Sequence, residues 1–165
     1  MRFELHQRFQ HPAALVTATY ANPALYPTLV GLPKLGNIDV LRHATGEDEA
    51  RFSIRFAFTG QLPPAVTAVV DPERLTWVQE SVHDLVNGTT SFRLVPDHYP
   101  ERLSASGTAR VRPADDGCTR VVAGDLRVKA LLVSGKVEQA IISGLEEYLV
   151  AEAPAVDRFL AASTS

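Results

Sequence analysis

Residues 126–149 read "LRVKALLVSGKVEQAIISGLEEYL", and the spacing of the apolar residues changes halfway along this segment. Before Ser134 the segment is a nearly continuous apolar run, which is typical of a buried strand. After Gly135 the apolar residues recur every three or four positions, which predicts an amphipathic helix. Because only two turn residues separate the two patterns, we predict that the helix folds back and closes a curved sheet over an apolar pocket.

The predicted helix extends from about Ser134 to Ala162. Pro154 lies within the pattern and is expected to bend the helix or to end its first segment. Ser134 or Gly135 can serve as the N-cap, and the spacing of a capping box is met if Gly135 is the cap and Glu138 the third residue. The apolar stripe consists of Val137, Ile141, Leu145, Tyr148, Leu149, Val156, Phe159 and Leu160.

The N-terminal segment "RFELHQRF" alternates apolar and polar residues, the pattern of a half-buried strand. Its predicted inner face carries Phe3, Leu5, Gln7 and Phe9. The next segment, residues 11–30, predicts two short helices in tandem.

The two short helices are predicted from their prolines. Pro12 and Pro23 occupy first-turn positions, where proline is best tolerated. Asn22 is a plausible N-cap for the second helix. Pro27 and the "GLP" that follows at 31–33 are expected to end that helix early.

The middle of the chain predicts six further strands separated by turn-forming clusters. Residues 60–75, "GQLPPAVTAVVDPERL", are predicted to be a long connection broken by prolines. Consecutive strands with tight turns pair antiparallel, and a seven-stranded sheet of this kind must curl. The fold class is therefore α+β. The predicted strand segments are 37–45, 49–59, 76–85, 88–96, 102–113 and 118–133.

Composition excludes several classes of protein. At 165 residues we expect one domain, residues 1–165, with a sizeable core. The net charge is −3 and the 16 basic residues are scattered, so we expect no binding to nucleic acid and no stable membrane insertion. The single Cys118 cannot form an internal disulfide, and the sequence shows no leader or spanning segment. These features predict a soluble, cytoplasmic protein.

The order of the predicted elements resembles the helix-grip fold of the START (SRPBCC) and birch-pollen-allergen superfamily. Within it, the chain resembles an actinobacterial family of domains of unknown function, family 2505. The residues that carry the resemblance are "RFELHQRF", the "LP" at 62–63 and above all "GDLRVKALLVSGKVEQAI" at 124–141. Ser134 stands where that family tends to have glycine. The resemblance implies a cavity between the sheet and the C-terminal helix.

Small residues on two predicted strands favour such a cavity, because they leave space unfilled: Ala105, Gly107 and Ala109 on one, Gly124 on the other. The alternative is that they allow the helix to dock closely with no void. Ligand-binding candidates therefore include Leu5, Gln7 and Ile54. The full candidate lining is Phe3, Leu5, Phe52, Ile54, Phe56, Phe58, Val78, Val82, Ala105, Gly107, Ala109, Leu126, Val137, Ile141, Leu145 and Tyr148.

The histidines lack metal-ligand spacing, and no nucleotide-binding or Ser-His-Asp pattern is present, so we expect no metal and no cofactor. His83 shares a strand face with Gln79 and Ser81, which we interpret as a solvated polar face rather than the place of a general base.

Polar groups of the pocket are predicted from three further residues. Glu80 shares a face with Val78 and Val82, so it enters the cavity if those valines do, and it would then be neutral or paired. Gln7 is a second polar anchor, and Tyr148 would place a hydroxyl at the pocket mouth. The candidate partners of Glu80 are Arg42, Arg55, Arg93 and Arg120.

Three functions remain open from the sequence. The first is a binding module for a small hydrophobic molecule such as a lipid, isoprenoid or polyketide. The second is a polyketide cyclase or dehydratase, which requires polar side chains converging in the cavity. The third is an interaction protein without a pocket, which requires an exposed apolar patch.

Overall fold

The computed structural model describes residues 1–130 and 132–165. It contains seven strands, three α-helices and two short 3-10 helices in the described residues. In chain order they are β1 Arg2–Phe9, α1 Ala13–Tyr20, a 3-10 helix Pro23–Leu29, β2 Leu35–Thr45, β3 Glu49–Phe58, α2 Pro64–Thr67, a 3-10 helix Pro72–Arg74, β4 Thr76–Asp84, β5 Thr89–Pro96, β6 Leu103–Ala114, β7 Gly117–Val128 and α3 Ser134–Ser163.

The strands form one antiparallel sheet in the order β1-β7-β6-β5-β4-β3-β2. Strands β2 to β7 pair antiparallel with their chain neighbours, and short connections favour this pairing everywhere except between β3 and β4. Strand β1 instead pairs with β7, with Phe3 opposite Gly124. Register shifts interrupt β2 between Leu35 and Ile38 and again between Val40 and Arg42, and such irregularities bend a strand. The predicted α+β helix-grip fold, with two short helices between the first two strands, is confirmed.

Alternation along the strands places one face of the sheet in the core. On β1 the residues Leu5, Gln7 and Phe9 are buried while their neighbours are exposed, as predicted. On β3 the buried positions include Phe52 and Ile54. Each such apolar side chain contributes roughly 1.5–3 kcal/mol by leaving water, so this face holds the sheet against the helices.

Helix α3 is continuous for 30 residues, and its buried face includes Tyr148, Leu149 and Val156. Pro154 lies inside it on an exposed position, so the prediction that a helical segment ends there is wrong. Proline frees the carbonyl four residues earlier, at Val150. Val150 is itself exposed, so water can bond the freed carbonyl.

The start of α3 differs from the predicted capping box. Its N-cap is Val133, which offers no side-chain cap, and Ser134 is the first helical residue. The hydroxyl of Ser134 donates to the carbonyl of Ala130 at 2.6 Å and accepts from its N–H at 2.9 Å. The serine therefore fixes the approach to the helix rather than its first turn.

Glu138 also has a different role from the predicted one. Its carboxylate accepts a hydrogen bond from the N–H of Val128 at 2.9 Å, at the end of β7. The strand ends there, so its predicted continuation is wrong at Lys129, Ala130, Leu132 and Val133. Leu131, also part of that prediction, lies outside the described residues. The apolar run therefore reflects a connecting segment, in which Leu132 is fully exposed.

The second short helix is a 3-10 helix that runs through Pro27 to Leu29, so the prediction that Pro27 ends it is wrong. Its N-cap is Asn22, as predicted, and the Asn22 side chain accepts from the N–H of Ala24. Proline is tolerated because its fixed φ of about −65° lies within the range of a 3-10 helix, and Pro27 is exposed.

Across the described residues, no helix combines the length and the apolar character that crossing a membrane requires.

Candidate functional site

A cavity of about 630 Å³ opens at one end of the sheet. The antiparallel order brings the start of β4, the end of β5, the start of β6 and the end of β7 to this same edge. The first turns of α3 cover the cavity from one side, and the connection between β3 and β4 covers it from the other. The cavity therefore lies between the sheet and the first turns of α3, away from the C-terminal end of that helix.

The cavity wall is mainly apolar. Of 19 lining residues, 12 are apolar, and they come from all three surrounding elements. These are Leu62, Val66, Val69, Val70, Leu75, Trp77, Pro96, Leu103, Val128, Ala130, Val137 and Ile141. The polar and charged ones are Arg74, Thr76, His98, Tyr99, Arg102, Lys129 and Ser134.

The outer wall is the connection that we predicted only as a proline-broken linker. Pro64 begins the short helix α2, and Val66 on that helix is fully buried. Val66, Val69 and Val70 have helical spacing and share the wall of the cavity. The helical spacing of these valines was the sequence signal for this wall, but the neighbouring prolines suggested an irregular connection instead.

Most of the predicted lining residues do not line this cavity. Of the 16 candidates only Val137 and Ile141 do so. Leu5 and Ile54 lie in the packed core together with other predicted residues, and Gln7 is buried beside α3. A ligand-binding role for these three remains a prediction.

The small residues of β6 and β7 do not create the predicted space. Gly107 and Gly124 face each other in register across the two strands. The ring of Phe92 lies 2.9 Å from where a Cβ of Gly107 would be, and the ring of Phe3 lies at the same distance from that of Gly124. The glycines therefore accommodate aromatic rings that pack across the strands. Neither the predicted space nor the alternative of a closely docked helix is found at these two glycines.

The predicted inner face of β4 is wrong. Ser81 and His83 are buried, whereas Glu80, Val78 and Val82 lie on the opposite face. Glu80 accepts from Nε of Arg93 at 2.6 Å in an ion pair whose two side chains are 36% and 68% exposed. Of the four candidate partners, Arg93 is thus the one that pairs with Glu80, outside the cavity.

His83 is held in the core by two hydroxyls. Its Nε2 lies 3.0 Å from Oγ of Ser81, and its Nδ1 lies 3.0 Å from Oγ1 of Thr90. Burial, and secondarily the positive charge of Arg120, lower the pKa of His83 to about 4. At neutral pH the imidazole is uncharged, and its two ring nitrogens exchange hydrogen bonds with the hydroxyls.

Protonation of His83 should lower the free energy of unfolding in mild acid. Its folded pKa lies below the unfolded value of about 6.5, so its contribution is complete above pH 6.5 and is lost as pH falls towards 4. Between pH 7 and pH 5 we expect a loss of about 2 kcal/mol that H83Q does not show. Urea unfolding at both pH values measures this, with H6Q on the exposed face of β1 as control. An equal loss in H83Q would contradict the assignment.

A second group of buried polar residues, the buried polar cluster, consists of Gln7, Tyr20, Arg120, Tyr148 and Glu152. The Glu152 carboxylate accepts from the hydroxyls of Tyr20 at 2.7 Å and Tyr148 at 2.9 Å. It also accepts from Nε2 of Gln7 at 2.9 Å.

Arg120 completes this cluster. Its Nη1 donates to Oε1 of Gln7 at 2.7 Å, and the same nitrogen lies 3.7 Å from the Glu152 carboxylate. Its guanidinium also lies over the ring of Tyr20, 4.1 Å from the ring centre. In the described residues every buried side-chain nitrogen and oxygen has a hydrogen-bond partner. The groups of the cluster bond one another and are not directed into the cavity.

The tyrosines of the cluster are donors at neutral pH. Burial, followed by the negative charge of Glu152, raises the pKa of Tyr20 and of Tyr148 well above its usual value. Tyr148 is buried here, so the prediction that it stands at the pocket mouth is wrong. Sequence analysis missed Glu152, although it follows Tyr148 and Leu149 at the spacing of the apolar stripe. A carboxylate on that stripe was the available signal.

The cavity mouth carries three cations, which we call the cationic rim: Arg74, Arg102 and Lys129. All three side chains are exposed and belong to the lining. The guanidinium of Arg102 lies 5.8 Å from the centre of the Tyr99 ring. Tyr99 has a φ of 57°, in the left-handed region that an aromatic residue rarely adopts. Arg102 thus follows directly on the turn at Tyr99.

A seven-stranded antiparallel sheet closed by a long C-terminal helix, with a cavity between them, defines a protein of the helix-grip fold. The chain belongs to the family described as Protein of unknown function (DUF2505), whose model matches residues 4–160. The predicted membership of this family is therefore confirmed. A search of curated proteins finds no match.

Solved structures share the fold at low sequence identity. The protein TTHA0849 from Thermus thermophilus has a TM-score of 0.68 at 12% identity, covering 100% of both chains. The Zhui aromatase/cyclase from Streptomyces sp. R1128 has a TM-score of 0.67 at 18% identity, covering 100% of this chain and 96% of the other. Norcoclaurine synthase from Thalictrum flavum has a TM-score of 0.60 at 18% identity, covering 98% and 85%. At these identities the likeness shows the fold alone.

Proposed function

We propose that this protein binds and carries a small hydrophobic molecule, of the lipid, isoprenoid or polyketide kind, in the cavity between the sheet and α3. The observation that carries the proposal is a cavity of about 630 Å³ with a mainly apolar wall. Cavities that hold small molecules fall in the range of roughly 300–1,000 Å³ and are mostly apolar. We also propose that the chain acts as one cytoplasmic domain.

The position of the cavity supports the proposal, in addition to its volume. The cavity is closed on one side by a short helix in a proline-containing connection, whereas the inner face of the sheet contributes many of the buried apolar residues of the core. A guest molecule can therefore enter by displacing α2 and its flanking turns. The sheet would stay intact, since α2 contributes none of the paired residues of β3 and β4.

A second candidate is a cyclase or dehydratase acting on a polyketide-like substrate. Two observations favour it: the fold shared with the Zhui aromatase/cyclase, and the presence of His98 and Tyr99 in the cavity wall. Both side chains belong to one turn, so an enzyme of this kind would place its proton transfer there. Turnover lost in H98Q and Y99F, with ligand binding kept, would establish this candidate.

Filling the cavity should abolish binding. We expect I141W and L103W, which enlarge side chains on opposite walls, each to weaken binding of the uncharged dye Nile red at least tenfold, or about 1.4 kcal/mol. V150W, on the exposed face of the same helix, is the matched control and should bind normally. Dye fluorescence measures affinity, and thermal unfolding shows that the variants are folded. Unchanged affinity in both cavity variants would refute the proposal.

The natural ligand can be sought directly. We expect native mass spectrometry of freshly purified protein to show an adduct that organic extraction removes. I141W should lack the adduct, whereas V150W should keep it.

A further inference from the structure

The cationic rim contrasts with the rest of the chain. The protein has 19 acidic and 16 basic residues, a net charge of −3. None of the acidic residues is among the described lining of the cavity, whereas Arg74, Arg102 and Lys129 all are. The charged residues of the cavity lining are therefore all basic although the protein as a whole is negative.

Three carboxylates near the rim are engaged elsewhere, whereas Glu73 and Glu101, next to Arg74 and Arg102 in the chain, are exposed. Asp97 accepts two hydrogen bonds from Arg55. Asp71 caps its own short helix through the N–H of Glu73, and Glu138 bonds the end of β7. Among the ion pairs of the described chain, none involves a residue of the cationic rim. Arg102 lies 3.5 Å from the carbonyl of Val69, but no carboxylate of the described chain forms an ion pair with the rim, so an acidic ligand group can do so.

Backbone contacts bring the three cations to the same mouth. The N–H of Asp71 lies 3.4 Å from the hydroxyl of Tyr99, which links the segment of Arg74 to that of Arg102. The N–H of Lys129 donates to the carbonyl of Arg102 at 2.7 Å, which extends the pairing of β6 and β7. The rim is thus built from three chain segments tied to one another, beside apolar walls.

We propose that the ligand is an amphipathic anion, with an apolar body in the cavity and an acidic head group at the cationic rim. This inference rests on the proposed function. A carboxylate or phosphate at the mouth makes charge-assisted hydrogen bonds with the guanidinium and ammonium groups. An uncharged head group gains less, and an ammonium head group is repelled by the same charges.

A matched series of 12-carbon ligands tests the head group: dodecanoate, dodecanol and dodecylamine, each displacing Nile red below its micelle concentration. We expect dodecanoate to bind at least tenfold more tightly than dodecanol, and dodecylamine to bind most weakly. The preference for the acid should shrink as salt is raised, because the rim is exposed. Dodecyl phosphate, added to the series, distinguishes a phosphate from a carboxylate head group. Tighter binding of either acid than of dodecanol supports the inference.

The variant R74Q/R102Q/K129Q assigns the preference to the rim. We expect it to bind dodecanoate no more tightly than dodecanol. The control R2Q/R110Q/R112Q removes three exposed arginines from outward positions of β1 and β6 and should keep the preference.

Three outcomes separate the two proposals. Equal binding of dodecanoate and dodecanol by the unaltered protein overturns the anionic head group and leaves hydrophobic binding standing. A preference lost equally in the control overturns the role of the rim. Failure to bind Nile red or any of the ligands overturns both proposals.

Discussion

Replacing Glu152 with glutamine is expected to destabilise the protein by about 3–5 kcal/mol, because it leaves the buried guanidinium of Arg120 without a counter-charge. The side chains of Arg120 and Glu152 are only 13% and 7% exposed. The glutamine amide also brings a donor to a position surrounded by the donors of Gln7, Tyr20 and Tyr148. Urea unfolding at pH 7 measures the loss.

A matched control lies on the same helix. Glu147 pairs with Lys34 in an ion pair whose carboxylate side chain is 55% exposed. We expect E147Q to change stability by no more than about 1 kcal/mol.

A double variant tests the mechanism. R120M/E152L removes both charges, and replacing a buried pair with apolar groups is often near neutral. We expect it to be more stable than E152Q. If E152Q unfolds like the unaltered protein, the cluster does not carry a buried charge.

Replacing Gly107 with alanine is the second change of large expected effect. A Cβ at this position would overlap the backbone carbonyl oxygen of Ala123 and would lie 2.8 Å from the Cα of Gly124. It would also contact the Phe92 ring at 2.9 Å. Because two of the three obstacles are backbone, β6 and β7 must separate. We expect a loss of about 3 kcal/mol, at the upper end of overpacking effects, measured by chemical denaturation.

Gly135 provides the matched control for this substitution. A Cβ there would meet no atom within 4 Å. It lies in the first turn of α3, where alanine is the better helix former, so G135A should be neutral or stabilising by up to about 1 kcal/mol. If G107A were equally harmless, the close approach of the two strands would be wrong.

The fold was predictable because several strands and the C-terminal helix each have one consistently apolar face. The spacing of apolar residues therefore distinguishes strand from helix in the sequence. Phe3, Leu5 and Phe9 alternate with charged residues, and Val137, Ile141 and Leu145 recur at helical spacing. Such patterns fix which face enters the core. The antiparallel pairing then follows from the short turns.

Strand β4 shows why the site was less predictable. Its two faces carry Val78, Glu80 and Val82 on one side and Gln79, Ser81 and His83 on the other. Composition favours the valines as the inner face, yet the register with β3 and β5 places His83 inside, next to Thr90. Two hydroxyls compensate for its burial, and that compensation depends on neighbours that are distant in the sequence.

The cavity was misplaced for a related reason. Small residues predict space only if nothing else enters it, and the Phe92 ring extends over Gly107 from the neighbouring strand. The true wall includes Val66, in a connection whose prolines suggested irregular structure. The helical spacing of its valines was a local signal, but the residues that complete the cavity are distant in the sequence.

The buried polar cluster and the cavity occupy opposite halves of α3. Tyr148 and Glu152 fix the C-terminal half against β1 and β7, whereas Val137 and Ile141 face the cavity. Substitutions in the cavity wall therefore leave the main polar anchor of the helix untouched. Ligand selectivity can therefore change by substitution in the cavity wall while the stability of the fold is retained.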